Sequence, residues 1–270
     1  MMDLAPFTGP KAFGRAYRAM LNNDPHAKGS VDRAIMSGMI RLSSRTVAYL
    51  YEDFTDLTTG FVEGSRPVLE ALLAQSELPI GDQERQVARI AELTRGLDHE
   101  DAPGELTDLK FGGTEEEIIA RGTDWCPDVA RVGCTLYQIA GFPSRIVNLF
   151  NLNAAYSGHV IVEVHRLGTW GAVDTNSGIV YRKDDGGPAT TWDLMNDAEL
   201  VVRHEVPEGR HMRPSQFASA GIANYKVHDS DSYDYTVTGL NEYYRAILTM
   251  AKRGWPGGLR WLHGETRDPG

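Results

Sequence analysis

Three side chains of types that together carry out acyl transfer through sulfur follow one another along the chain: Cys126, His159 and Asp174. Cys126 closes the loop RGTDWC and opens a segment of helical character. Pro127 suits the first helical position, where its missing N–H would lack an intrahelical partner anyway. Asp128 adds a negative charge to the first turn, where the helix dipole favours one. Val129, Val132, Leu136 and Ile139 recur at three- and four-residue spacing, and Gly141 followed by Pro143 forms a stop. A thiol at a helix N-terminus is placed to react as a thiolate. Such a thiolate attacks a carbonyl carbon and holds the acyl group as a thioester. His159 would keep the thiol proton and return it to the leaving amine. Asp174 would fix the imidazole tautomer and stabilise its cation.

The elements that must bring these groups together are a helix and a hairpin. GHVIVEVH (158–165) and TWGAVDT (169–175) alternate as strands do, and Leu167-Gly168 is the turn between them. His159, Ile161, Glu163 and His165 share one face of the first strand; Trp170, Ala172 and Asp174 share one face of the second. His159 and Asp174 then lie opposite or diagonal on one face, within contact range. Glu163 shares that face and rivals Asp174 as the orienting carboxylate. His165, near the hairpin end, reads as exposed. Trp125, beside the nucleophile, and Trp170 are the aromatic candidates for substrate contact or oxyanion support. Trp170 would serve either as a lid over the His–Asp pair or as core packing. The backbone N–H of Cys126 is a natural oxyanion donor.

This order and spacing resembles the catalytic core of the transglutaminase-like superfamily. There, a cysteine opens a helix that closes on a G-[IF]-P-[AS]-R motif. A strand beginning with histidine follows, then a Trp-containing strand ending in aspartate. Here Cys126, Gly141-Phe142-Pro143-Ser144-Arg145, His159, and Trp170 with Asp174 occupy those places, within residues 114–183. Ile161 stands where the family often has Trp, and Thr175-Asn176 where it often has Pro. The resemblance implies an α+β, papain-like layout: a nucleophile helix packed on an antiparallel sheet, with an N-terminal helical region and a C-terminal helix. It also implies a cofactor-independent thiol enzyme acting on a peptide or amide and passing the acyl group to water or an amine. Hydrolysis is the first expectation, because nothing encodes a dedicated amine site. The alternatives are a catalytically inactive binding module of the same fold and a peptide N-glycanase-like amidase acting on a glycosylated substrate. Arg145 is expected to pair with a helix carboxylate.

Composition narrows the partners. The 270 residues carry 37 acidic and 27 basic side chains, a formal net charge of −10, which argues against nucleic acid and anionic membranes. No run approaches the ~18 apolar residues of a membrane span. The segment MMDLAPFTGPKAFGRAYRAML has no apolar core of a secretory signal. Cys126 and Cys134 lie on one helix about 12 Å apart, too far for a disulfide. Both are therefore expected as free thiols, fitting a reducing cytoplasm. No CxxC or CxxH pattern points to zinc. A hydrolytic metal on Cys126, His159, Asp174 or His165 would lack the close ligand pair such sites use. No cofactor is expected.

Along the rest of the chain, residues 1–97 read as helical (11–22, 31–52, 66–78 and 81–97). Residues 98–270 then form the catalytic unit with its helical extension. Thr114 and Glu117 make a capping box for a short helix over 114–122. Strands are expected at 144–152 and 176–183, and helices at 191–197 and 240–254. Residues 211–237 show no clean period. Tyr243, Tyr244, Trp255 and Trp261 are read as packing the C-terminal helix onto the domain.

Overall fold

A computed structural model describes residues 40–52, 61–97, 114–123, 126–151, 156–204 and 212–224. The expected helices at 11–22 and 240–254, with the four C-terminal aromatics, lie outside this set. Helices pack against a six-stranded, open, antiparallel sheet. The strands are β1 (Ile40–Arg41), β2 (Ser144–Asn151), β3 (Tyr156–Arg166), β4 (Thr169–Asp174), β5 (Ile179–Val180) and β6 (Ala220–Asn224). Their spatial order is β1-β6-β2-β3-β4-β5. The helices are α1 (Val47–Leu50), α2 (Pro67–Gln75), α3 (Gln83–Gly96), α4 (Glu115–Arg121), α5 (Cys126–Ile139), α6 (Thr191–Asn196) and α7 (Ala198–Val202), with a 3₁₀ turn at Pro214–Phe217. No helix among the described residues is long and apolar enough to cross a membrane.

Strand alternation divides the interior. Ile146, Val160, Val162, Val164 and Val173 point to one side, where Val132, Leu136 and Tyr137 of α5 meet Val87 and Ile90 of α3 and Leu69 and Leu73 of α2. Val147, Leu149, Ile161 and Ala172 point to the other, against Leu42, Leu50, Leu194, Val201 and Phe217. The central strands are therefore buried on both faces.

The helix around Cys126 runs as its periodicity predicts. It ends in a Schellman motif: Gly141, at φ +85°, donates to the Gln138 carbonyl, and Phe142 N–H donates back to Tyr137. The positive φ is what glycine supplies there. The β3–β4 turn is the expected two-residue loop, with Leu167 at φ +52° and Gly168 at φ +77°, the mirror-type turn that matches strand twist.

One helix is corrected. The expected helix over 31–52 is not continuous: of its described residues, 40–52, Ile40–Arg41 is a strand and only Val47–Leu50 is helical. Ser43 N–H donates to Thr46 Oγ1, and that hydroxyl donates to the Arg41 carbonyl. Such local side-chain bonds compete with the helical ladder and build a turn instead. The expected strand over 176–183 shrinks to β5 plus a bridge between Arg182 and Pro188. Within the aperiodic stretch 211–237 lies β6, a full partner of β2.

Candidate active site

Cys126 is the first residue of α5 and is half-buried. His159 lies near the start of β3, opposite Leu149 of β2. On the other flank, β3 pairs with β4 through Val162–Val173, so the continued register sets Ile161 opposite Asp174 and His159 diagonal to it. The gap is closed by a hydrogen bond: His159 Nε2–H donates to Asp174 Oδ2 at 3.0 Å. Asp174 is fully buried and the histidine side chain is 11% exposed. The other carboxylate oxygen, Oδ1, accepts from the backbone N–H groups of Asn176 and Ser177, each at 3.1 Å. With Nε2 committed to Asp174, Nδ1 is the nitrogen left to face Cys126, whose side chain is close enough to raise the His159 pKa.

The charges of His159 and Asp174 act on one another. Burial disfavours an imidazolium at His159, but the Asp174 carboxylate, then the Cys126 thiolate, and the hydrogen bonds to both outweigh it and hold His159 well above its ordinary 6.5. Burial alone would raise Asp174; the His159 charge and the donors at His159 and Ser177 hold it below 3.8 instead. Cys134 is a different thiol. It is fully buried, lies 3.1 Å from Ser144 Oγ, and burial pushes it up to about 12.

The other sequence candidates separate from this trio. Glu163 is not a rival orienter. It is buried, and its Oε2 accepts from Arg145 Nε and Nη2 at 2.9 and 2.6 Å. Its Oε1 accepts from Tyr51 OH and Thr191 N–H, each at 2.7 Å. Arg145 therefore pairs with a strand carboxylate rather than a helix one. Trp170 is corrected as a substrate-contact or lid residue. It is 1% exposed and lies beneath the Arg145 guanidinium, whose Cζ is 4.0 Å from its ring centre. Its Nε1–H donates to the Glu52 carbonyl. It also sits four residues from Asp174 along β4, roughly 13 Å at strand rise. His165 is half-buried, edge-on to Trp170 at 5.4 Å between ring centres, rather than exposed. Trp125 lies outside the described residues. Among the described residues, no group of three or more His, Cys, Asp or Glu is arranged to hold a metal ion.

One feature of the site escaped the sequence reading. Beneath the first turns of α5 runs a buried ion-pair chain: Arg66 Nε to Glu115 Oε2 at 2.5 Å, Glu115 Oε1 to Arg131 Nη2 at 3.4 Å, and Arg131 Nη1 to Asp128 Oδ1 at 3.9 Å. It links the start of α2, the start of α4 and the helix that carries Cys126. Glu115 heads a Glu-Glu-Glu run that reads as a solvated face, yet it is fully buried. The available signal was Arg131, a charge inside the apolar run of α5, which needs a partner to be buried.

Comparison with protein-family models, with curated proteins and with solved structures returns no match.

Proposed function

We propose that this chain is a cofactor-independent thiol enzyme that forms a thioester at Cys126, with the papain-like layout its sequence resembles in the transglutaminase-like superfamily. The supporting observation is the juxtaposition of Cys126, at the head of a helix, with a histidine locked to a buried aspartate. The thiolate attacks an amide or peptide carbonyl, and the C=O pair moves onto oxygen. As the intermediate collapses, the C–N bond breaks and the His159 imidazolium gives its proton to the departing amine. Neutral His159 then takes a proton from water, whose oxygen attacks the thioester. The carboxylic acid leaves and the Cys126 sulfur is released. An amine in place of that water gives transamidation. Hydrolysis is the preferred outcome, since no described residue forms a dedicated amine site.

Alkylation by iodoacetamide at neutral pH, read by peptide mass spectrometry at each cysteine, tests this. Cys126 is expected to react readily, Cys134 to stay slow, and His159→Ala to slow Cys126 by about tenfold or more. A Cys126 that is inert, or indifferent to His159→Ala, defeats the catalytic reading and leaves a binding module of this shape. A reactive Cys126 calls for a panel of peptide, amide and glycosylated-asparagine substrates, with and without amine acceptors.

A further inference from the structure

Gly133 sits in the middle of α5, where glycine costs about 1 kcal/mol relative to alanine. Helix propensity gives no reason for it; the neighbour across the interface does. A Cβ built on Gly133 would lie 2.5 Å from Thr175 Cγ2, 3.0 Å from its Cβ and 3.3 Å from its Oγ1. Carbon atoms in ordinary contact stand about 3.5–4.0 Å apart, so any larger residue would lift the helix by roughly 1 Å. Thr175 is fully buried, and its hydroxyl finds no hydrogen-bond partner among the described residues, so it acts here through its shape. It is also the residue that follows Asp174. The helix backbone thus rests directly on the strand end that holds the His–Asp pair, and Cys126 lies on the same helix, seven residues or about 10 Å back.

We propose that Gly133 and Thr175 are a positioning pair: their contact sets how closely α5 approaches the end of β4, and so the separation between Cys126 and His159. The inference rests on reading Cys126 as the nucleophile. Neither residue touches the reacting atoms. Their effect is on the distance across which thiol and imidazole share a proton, where a shift of about 1 Å costs up to roughly a hundredfold in rate.

The test is a cycle of variants of the full chain, with Cys126 alkylation at neutral pH as readout and circular dichroism as the check on folding. Gly133→Ala is expected to slow Cys126 about tenfold and to abolish the further slowing by His159→Ala. Adding Thr175→Ser removes the nearest methyl and is expected to restore both the rate and its dependence on His159. A role in stability alone would lower the melting temperature and leave that dependence intact. The inference is overturned if folded Gly133→Ala keeps the parental rate, or if Thr175→Ser does not rescue it. Should Gly133→Ala fail to fold, the double variant decides: a folded, fast Cys126 supports the pair, and a slow or unfolded one refutes it. If His159→Ala has no effect in the parent chain, it is the catalytic reading that fails. If it has one and Gly133→Ala does not, only the positioning pair falls.

Discussion

Asp174 holds His159 with one carboxylate oxygen and its own following turn with the other. The orientation of the imidazole is therefore fixed by backbone three residues away, and an amide in place of the acid would be seated by the same two N–H groups. Its NH₂ would then face Nε2, favouring the tautomer that presents N–H rather than a lone pair to the thiol. Asp174→Asn should accordingly slow Cys126 alkylation about as much as His159→Ala while leaving the fold intact. The pair also gives stability a pH dependence. His159 is raised in the folded chain, so its contribution is complete below about 6.5 and fades as pH rises through the folded value. Asp174 is lowered, so its contribution is present above 3.8 and is lost as pH falls through its folded value. Urea titrations of parent and Asp174→Asn should thus differ most between about pH 4 and 6.5, with the difference narrowing below that range as Asp174 is protonated and above it as His159 loses its proton at its raised folded value. Much of this residue pattern was legible, because a period of two and a two-residue turn place His159 beside Asp174. The same period put Glu163 and Trp170 on the same face without revealing that Arg145, one strand over, holds both. Alternation reports a side chain's face and not its partner.

Among the elements, α5 carries the proposed nucleophile, and two others, α2 and α4, hold its first turns through Arg66 and Glu115, which meet Asp128 and Arg131 of α5. Glu115→Gln keeps the shape but removes the carboxylate charge that Arg66 and Arg131 both face. Breaking a buried pair by removing one partner costs about 3–5 kcal/mol, so the urea midpoint should fall sharply. If the midpoint stays within experimental error of the parent, the chain of ion pairs does not hold the helix. Both ends of α5 and the capping box of α4 could be read from sequence, since caps are written within four or five residues. The ion-pair chain could not: its members come from positions 66, 115, 128 and 131, and only packing brings them together. The misreading of residues 40–52 as helix has the opposite origin. There an amphipathic pattern outweighed Ser43 and Thr46, whose hydroxyl bonds with backbone and with each other make the turn.

At the scale of the molecule, the Arg145–Glu163 pair is a staple between the sheet and two distant segments. Tyr51 OH and Thr191 N–H reach it from sequence positions far from β3, and Arg145 Nη1 donates to the Leu50 carbonyl. Tyr51→Phe removes a bond to a charged acceptor and should cost about 2 kcal/mol in urea unfolding, with no effect on Cys126 alkylation. A slower Cys126 would mean that the staple reaches the site. The sheet itself joins distant stretches: β2 lies between β3, which follows it directly, and β6, which begins at Ala220, while among the described strands β1 pairs only with β6. On a ribosome this order sets a waiting time. Helix α5 and strands β2 to β5 can assemble as soon as they emerge, with Cys126, His159 and Asp174 already among them. Until residues 220–224 are made, β2 lacks its β6 neighbour, and β1, synthesised earlier, lacks the described strand it pairs with. A half-made chain would thus bring Cys126 and an unprotected sheet edge into the cell together, and neighbouring nascent chains could pair with that edge before β6 arrives to cover it.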